Sequence, residues 1–374
     1  MLDIGLLSLP TLAAIAALFS ALFIGEEIVI ERIRVSHQLE WAGYAPEVAM
    51  RQLADGVREL SQAAQSELNA LNVDEGSLEK GIIAFEDYFE IGQLINGARN
   101  TFGLIPYYVN GEVTERRGQA VMRVRVTIEE EERVHLFEVT GDVNDMPGLM
   151  HEAALQLLEI ISPYVVALYH RRTELDAGEF EFPRTRASIQ KYLKERPVAE
   201  HYLAYGLLGR LYMLKAEGDT SLTDAQREET YAEAIRNLHA ALRQQPDFLF
   251  PIINLGLIYR HQEKHALADR HFGRAVELNP NYLITRRAWA EMLRDEGRDR
   301  DALVQYVAAA EIAPDAAEFR YELAKLYMKL GHPEAAQQQY EEAIRLRPEE
   351  YEVTAMLEML NGNRSCAPLG AAAC

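Results

Sequence analysis

The sequence predicts a mainly α chain: an N-terminal transmembrane helix, a small α+β domain, and a C-terminal α-solenoid of helix pairs with a capping helix. Three observations predict it. Residues 4–25 carry no charge. Met122, Val124, Val126 and Ile128 alternate with Arg123, Arg125 and Thr127, the pattern of a strand with one wet face. Pro246, Pro280, Pro314 and Pro348 stand thirty-four residues apart, and a fixed period of that length marks a repeat array. Such an array makes a long concave surface and no buried reaction chamber, which points toward binding rather than catalysis.

The segment 4–25 is rich in Leu, Ala, Ile and Phe. At ~1.5 Å per residue it is long enough for the ~30 Å hydrocarbon core of a bilayer. A cleaved signal peptide would carry a basic start and a small-x-small cleavage site, which Met1–Asp3 and the region near Gly25 supply poorly. A buried helix of a soluble fold is the third reading, but the segment has no polar face. The expectation is an uncleaved single-pass anchor in a bacterial inner membrane. Arg32, Arg34, Arg51 and Arg58 follow the span and no Lys or Arg precedes it, so the positive-inside tendency favours a cytoplasmic over a periplasmic array.

Residues 26–172 read as the α+β domain. Ile28–Val35 is a strand, and Pro46 opens a helix bearing Val48, Leu53, Val57 and Leu60. A second helix is expected over Glu90–Phe102. One strand ends before Arg116-Arg117-Gly118, the alternating strand follows, and a third covers Val134–Val139 with a bulge between Leu136 and Phe137. A helix from Pro147 then stops at Ser162-Pro163, with one further capped turn toward Arg172. The segment Tyr108–Tyr164 resembles the TolB amino-terminal-like domain, on Val109-Asn110-Gly111-Glu112-Val113 entering a hairpin and on Ile160-Ile161-Ser162-Pro163-Tyr164 ending a helix. That resemblance supports the fold and implies no activity. Residues 173–197 are assigned to a linker.

The array is expected over 198–348. Leu255, Gly256, Tyr259, Ala268, Phe272 and Ala275 fill one period. Trp289, Ala290, Ala302, Tyr306 and Ala309 fill the next, and Leu323, Ala324, Tyr327, Gly331, Ala336, Tyr340 and Ala343 the third. This pattern resembles the tetratricopeptide repeat family, whose unit is a helix pair. Small residues at Gly256, Ala290 and Ala324 allow close helix approach, and the aromatic rings fill the space around it. An earlier unit holds Leu208, Gly209, Tyr212, Ala234, Leu238 and Ala241, with a polar surplus at 216–228. That surplus is either a binding-face insertion or a tolerated surface loop. Residues 349–361 read as a capping helix and 362–374 as a tail.

No phosphate-binding glycine loop, nucleotide fingerprint or nucleophile elbow occurs, and His151-Glu152 lacks the second His of a zinc-peptidase motif. His261, His265 and His271 cluster in sequence, but the register places them around a largely solvated interhelical turn and its exit rather than in a metal site. Glu129–Glu132 reads as a hairpin tip. Cys366 and Cys374 lack the partners of a nucleophile or zinc ligand. No catalytic residue, cofactor or metal is expected, and a formal net charge of −20 disfavours nucleic acid as a partner.

The repeat register predicts a partner-binding concave face at Phe250, Ile253, Leu257, Arg287, Glu291, Arg294, Tyr321 and Lys325. Mixed aromatic, aliphatic and charged groups suit an extended peptide or a partner helix. The function expected is a membrane-anchored scaffold or adaptor docking a protein segment. An obligate accessory subunit of an envelope or membrane enzyme complex, and a ligand sensor working through the α+β domain, stand as alternatives. The sequence leaves homo-oligomerisation open.

Overall fold

The computed structural model describes residues 28–69, 107–128 and 133–350. The expected anchor at 4–25, the helix at Glu90–Phe102, the acidic tip at Glu129–Glu132, nearly all of the expected capping helix and both cysteines lie outside these residues. Among the described residues no helix is long and apolar enough to cross a membrane. The chain divides into two compact units, at Arg196/Pro197.

The first unit is built on a four-stranded sheet: β1 (Ile28–Val35), β2 (Tyr107–Arg116), β3 (Gln119–Ile128) and β4 (Arg133–Asp142), adjacent in that order. β1 runs parallel to β2, and the other pairs are antiparallel. A parallel pair requires a crossover, and helix α2 (Pro46–Asn69), which follows the short α1 (His37–Trp41), is part of it. Alternation sends Val109, Val113, Met122, Val124, Val126 and Val139 to one face, where they form a core with Leu53 and Leu60 of α2 and with Leu149, Ala153 and Leu157 of α3 (Met146–Ile161). The glycine inside α2 has a packing reason: a Cβ on Gly56 would stand 3.0 Å from Ala154 Cβ of α3. Asp145 caps α3 by accepting from the Gly148 amide.

The strand expectation for β4 needs one correction. Its pairing with β3 runs from Arg133 to Asp142 without a register shift, so there is no bulge at Leu136–Phe137. Phe137 lies opposite Val124 on the core face, while Leu136 lies opposite Arg125 on the other face and stays 69% exposed. The apparent slip is an apolar residue on the outer face of an edge strand.

Two further expectations are overturned beyond Ser162. The chain forms a full helix, α4 (Pro163–Asp176), rather than one turn, because Val166, Ala167 and Leu168 bury against the unit. The assigned linker contains α5 (Pro183–Glu195), which packs on α4. Phe182 precedes α5 in the left-handed region at φ 52° and provides no side-chain cap. The buried carboxylate of Glu174 caps instead, accepting from Arg184 N at 2.7 Å, Thr185 N at 3.3 Å and Thr185 Oγ1 at 2.6 Å. Phe182, Ile189 and Tyr192 bury with it.

The second unit is a run of antiparallel helix pairs: α6 (His201–Gly218) with α7 (Asp224–Gln244), α8 (Leu249–His261) with α9 (His265–Leu278), α10 (Leu283–Asp295) with α11 (Asp299–Ile312), and α12 (Ala317–Lys329) with α13 (Pro333–Leu346). The residues before the four prolines, Gln245, Asn279, Ala313 and Arg347, all leave the helix at ψ of 90°, 92°, 76° and 80°, the geometry a following proline imposes. A Cβ on Gly209 would stand 2.5 Å from Leu238 Cγ, and one on Gly256 would stand 2.7 Å from Phe272 Cε1. Both glycines therefore mark the closest approach within a pair.

The polar surplus at 216–228 is mostly helix. α6 has 18 residues and α7 has 21, whereas the later pairs have 13 and 14. The connection is short because Asp219 accepts from Ser221 N and Oγ, and Thr223 forms a capping box with Gln226. Arg227 ties the lengthened ends by donating to the Ala216 carbonyl. Ala216 and Tyr231 bury between the extended helices.

Candidate functional site

The predicted concave-face residues lie on the first helix of three successive pairs, α8, α10 and α12. The structure gathers Arg287, Glu291, Arg294 and Tyr321 around one small cavity of about 120 Å³, which Tyr306 and Glu322 also line. Lys325 reaches its edge, bonding Glu322 at 3.1 Å and standing 5.4 Å over the Tyr321 ring. The Tyr321 ring meets Tyr340 edge-on at 5.7 Å.

The charges on this face are paired with one another. Arg287 donates to Glu291 at 3.0 Å and reaches Glu318 at 3.5 Å. Arg294 donates to Glu322 at 2.7 Å, and nearby acids together with the Tyr306 hydroxyl hold its guanidinium above the ordinary arginine value despite burial. Burial pushes the Tyr306 hydroxyl up, beyond the ordinary phenol range.

Phe250, Ile253 and Leu257 sit one pair earlier and do not line the cavity. Ile253 is buried at 4% exposure, packed into the helix array, so its side chain is core rather than accessible face. Phe250 is half-buried, its ring 6.5 Å from Phe248, and Leu257 is half-buried between two core clusters.

Sequence reasoning missed two groups here. Arg260 of α8 donates to Glu291 at 2.9 Å and to Asp295 at 3.0 Å of α10. It stands thirty-four residues before Arg294, and that spacing was the available signal. The second group is Arg210 of α6 with Asn254 of α8. Arg210 Nη1 donates to Asn254 Oδ1 at 3.3 Å. Arg210 Nε and Asn254 Nδ2 are both buried without a hydrogen-bond partner, and burial lowers the Arg210 guanidinium from its ordinary value. Two orphaned donors side by side are costly, about 1–3 kcal/mol each. Thr285 Oγ1 of α10 and Arg320 Nε of α12 are buried without a partner in the same way.

The three clustered histidines diverge. His261 pairs with Glu217 at 3.1 Å and stacks on Tyr231, while His265 faces Glu296 at 3.2 Å. His271 is half-buried on the Tyr259 ring at 5.4 Å, not solvated as the register suggested. Among the described residues no group of three or more His, Cys, Asp or Glu is arranged to hold a metal ion.

Residues 252–282 and 317–350 match a tetratricopeptide repeat model, and residues 290–331 match a TPR repeat model. Similar solved structures include YrrB, titled a TPR protein with an unusual peptide-binding site, at 25% identity over 55% of this chain and 95% of that one, with a TM-score of 0.38. MamA aligns at 16% identity over 48% of this chain and 95% of that one, also with a TM-score of 0.38. No curated protein matches the chain. With the helix pairs, the proline register and the family models in agreement, residues 252–282 and 290–350 are tetratricopeptide repeats.

Proposed function

We propose that the chain is a membrane-anchored adaptor whose tetratricopeptide array docks an extended segment of a partner protein along α6, α8, α10 and α12. The observation that carries this reading is the set of half-buried apolar and cationic side chains on the inner helices: Phe250 and Leu257 on α8, and Tyr321 with Lys325 on α12. They offer aliphatic, aromatic and cationic contact to an extended chain. The Arg287–Glu291 and Arg294–Glu322 pairs are already satisfied, so they set the shape and polarity of the face and contribute little free charge. No catalytic role is assigned to any of these groups.

The uncharged segment 4–25 supports the anchor, and the arginines after it support an array on the cytoplasmic side of a bacterial inner membrane. Alkaline phosphatase and a fluorescent protein that matures only in the cytoplasm, fused separately after Cys374, test the orientation. Phosphatase activity without fluorescence would reverse it.

The docking reading is tested on the full chain with extended peptides selected by display. Phe250→Ala and Tyr321→Ala should each weaken the selected peptides at least tenfold, about 1.4 kcal/mol. A combined Phe250→Ala, Arg287→Ala, Tyr321→Ala variant should weaken them further. Unchanged affinity in folded variants would remove the concave face from the account.

A further inference from the structure

The outer face of the sheet in the first unit carries a second, chemically different feature. The pleat turns Arg32 and Arg34 of β1, Asn110 and Glu112 of β2, and Arg123 and Arg125 of β3 away from the core. On β4 the register adds Leu136 and Glu138 to the same side. These residues line a concavity of about 830 Å³.

Register sorts them into two rows across the strands. One row reads Arg34, Glu112, Arg123, Glu138. It is compensated internally: Arg123 donates to Glu138 at 2.7 Å and to Glu112 at 3.1 Å. The neighbouring row reads Arg32, Asn110, Arg125, Leu136 and contains no acid. Its two arginines stand two strands apart, about 10 Å between Cα atoms, with the Asn110 amide between them. Among the described residues neither Arg32 nor Arg125 has an ion-pair or hydrogen-bond partner. The six charged lining residues sum to four positive minus two negative, or +2, on a chain whose formal net charge is −20.

We propose that this face binds a soluble phosphate monoester, its phosphate held between Arg32 and Arg125 over Asn110 and its less polar part lying on Leu136. A phosphate monoester carries about −1.5 to −2 charge and three acceptor oxygens. The planar guanidinium forks match those oxygens two at a time. The concavity exceeds the size of a bare phosphate, and Leu136, 69% exposed, provides an apolar contact at the end of the row. The charge-balanced row beside it fixes Arg123 between Glu112 and Glu138 and forms the second wall.

Calorimetric titration of the full chain in detergent with phenyl phosphate, inorganic phosphate and benzyl alcohol tests the site. Phenyl phosphate should bind one per chain and more tightly than inorganic phosphate, with no binding of benzyl alcohol. Arg32→Gln with Arg125→Gln should weaken phenyl phosphate at least tenfold, and Arg58→Gln, on the outside of α2, should leave it unchanged. Should the double variant fail to fold, Arg125→Lys keeps the charge but removes the fork, and should weaken binding severalfold. Absence of phenyl phosphate binding, or full affinity in the folded Gln or Lys variants, overturns the proposal. Binding to phosphatidylglycerol vesicles but not phosphatidylcholine vesicles, without binding of phenyl phosphate, also overturns it by making a lipid the source of the anion.

Discussion

Arg260 donates to Glu291 at 2.9 Å, and one repeat later Arg294 donates to Glu322 at 2.7 Å. The two arginines occupy equivalent places on α8 and α10, and each reaches forward onto the next inner helix. The array is therefore stitched along its inner face by arginines in register, each paired with an acid of the next inner helix, in addition to the apolar contacts between pairs. Arg260 and Glu291 are only about a quarter exposed, at 26% and 27%, which protects the bond from much of the screening that weakens surface pairs.

A double-mutant cycle with Arg260→Met and Glu291→Gln should return a coupling of about 1 kcal/mol in urea unfolding. The coupling should shrink but persist in 0.5 M salt. A value near zero would mean the pair is only a geometric coincidence of the register.

The interhelical turns hold a second thirty-four-residue relationship. Glu263, Gly297 and Gly331 all take positive φ, at 55°, 74° and 79°. Each is followed by an amide that bonds back to the helix: Lys264 N to Tyr259 O, Arg298 N to Leu293 O, and His332 N to Tyr327 O. This is the helix-ending turn that glycine adopts without strain. Glu263 occupies it with a side chain that disfavours the left-handed region. Glu263→Gly should raise stability by about 0.5–1 kcal/mol, read as a shift of the urea midpoint without a change in slope. A loss of stability would show that the Glu263 side chain has a compensating role.

Glu174 supports the whole start of α5 from a position with no exposure. Glu174→Ala strands the amides of Arg184 and Thr185 and opens a cavity, and should destabilise the first unit by about 2–4 kcal/mol. Hydrogen exchange should show α5 opening while β2 and β3 remain protected. Equal loss of protection in the strands would mean that α5 and the sheet unfold as one body.

Burial on Tyr259, helped by His239, Arg270 and Arg274, pulls His271 down to about 4 from an ordinary value near 6.5. The unfolded chain therefore binds a proton that the folded array refuses between those values, and stability must fall as pH drops through that window. The loss from this group should be on the order of 2 kcal/mol by pH 4 and absent above pH 7. Urea midpoints at pH 7.5, 5.5 and 4.5 should converge more closely for His271→Phe than for the natural chain. His239, lowered by burial and Arg243, leaves a residual slope of the same sign.

The repeats were legible because their signals are local and periodic: a proline that ends a helix, a small residue that meets a ring, and thirty-four residues to the next instance. The strands were legible from alternation alone. α5 was not, because its cap lies ten residues upstream on another helix and Phe182, its entry residue, gives no capping signature. The surplus at 216–228 reads as a loop because a lengthened helix hairpin exposes mainly polar residues, and Ala216 and Tyr231 mark its buried seam. At the site, Ile253 and Arg260 show the limit of register reasoning. Register places a residue on an inner helix, but whether it is covered or paired depends on side chains about thirty residues away.

The most direct test of the adaptor reading is the footprint of a bound peptide. Hydrogen exchange of the full chain, with and without a display-selected peptide at saturating concentration, should show new protection along α6, α8, α10 and α12. That protection should be lost in the combined Phe250→Ala, Arg287→Ala, Tyr321→Ala variant. Protection confined to α7, α9, α11 and α13, or unaltered protection in that variant, would contradict docking on the inner face.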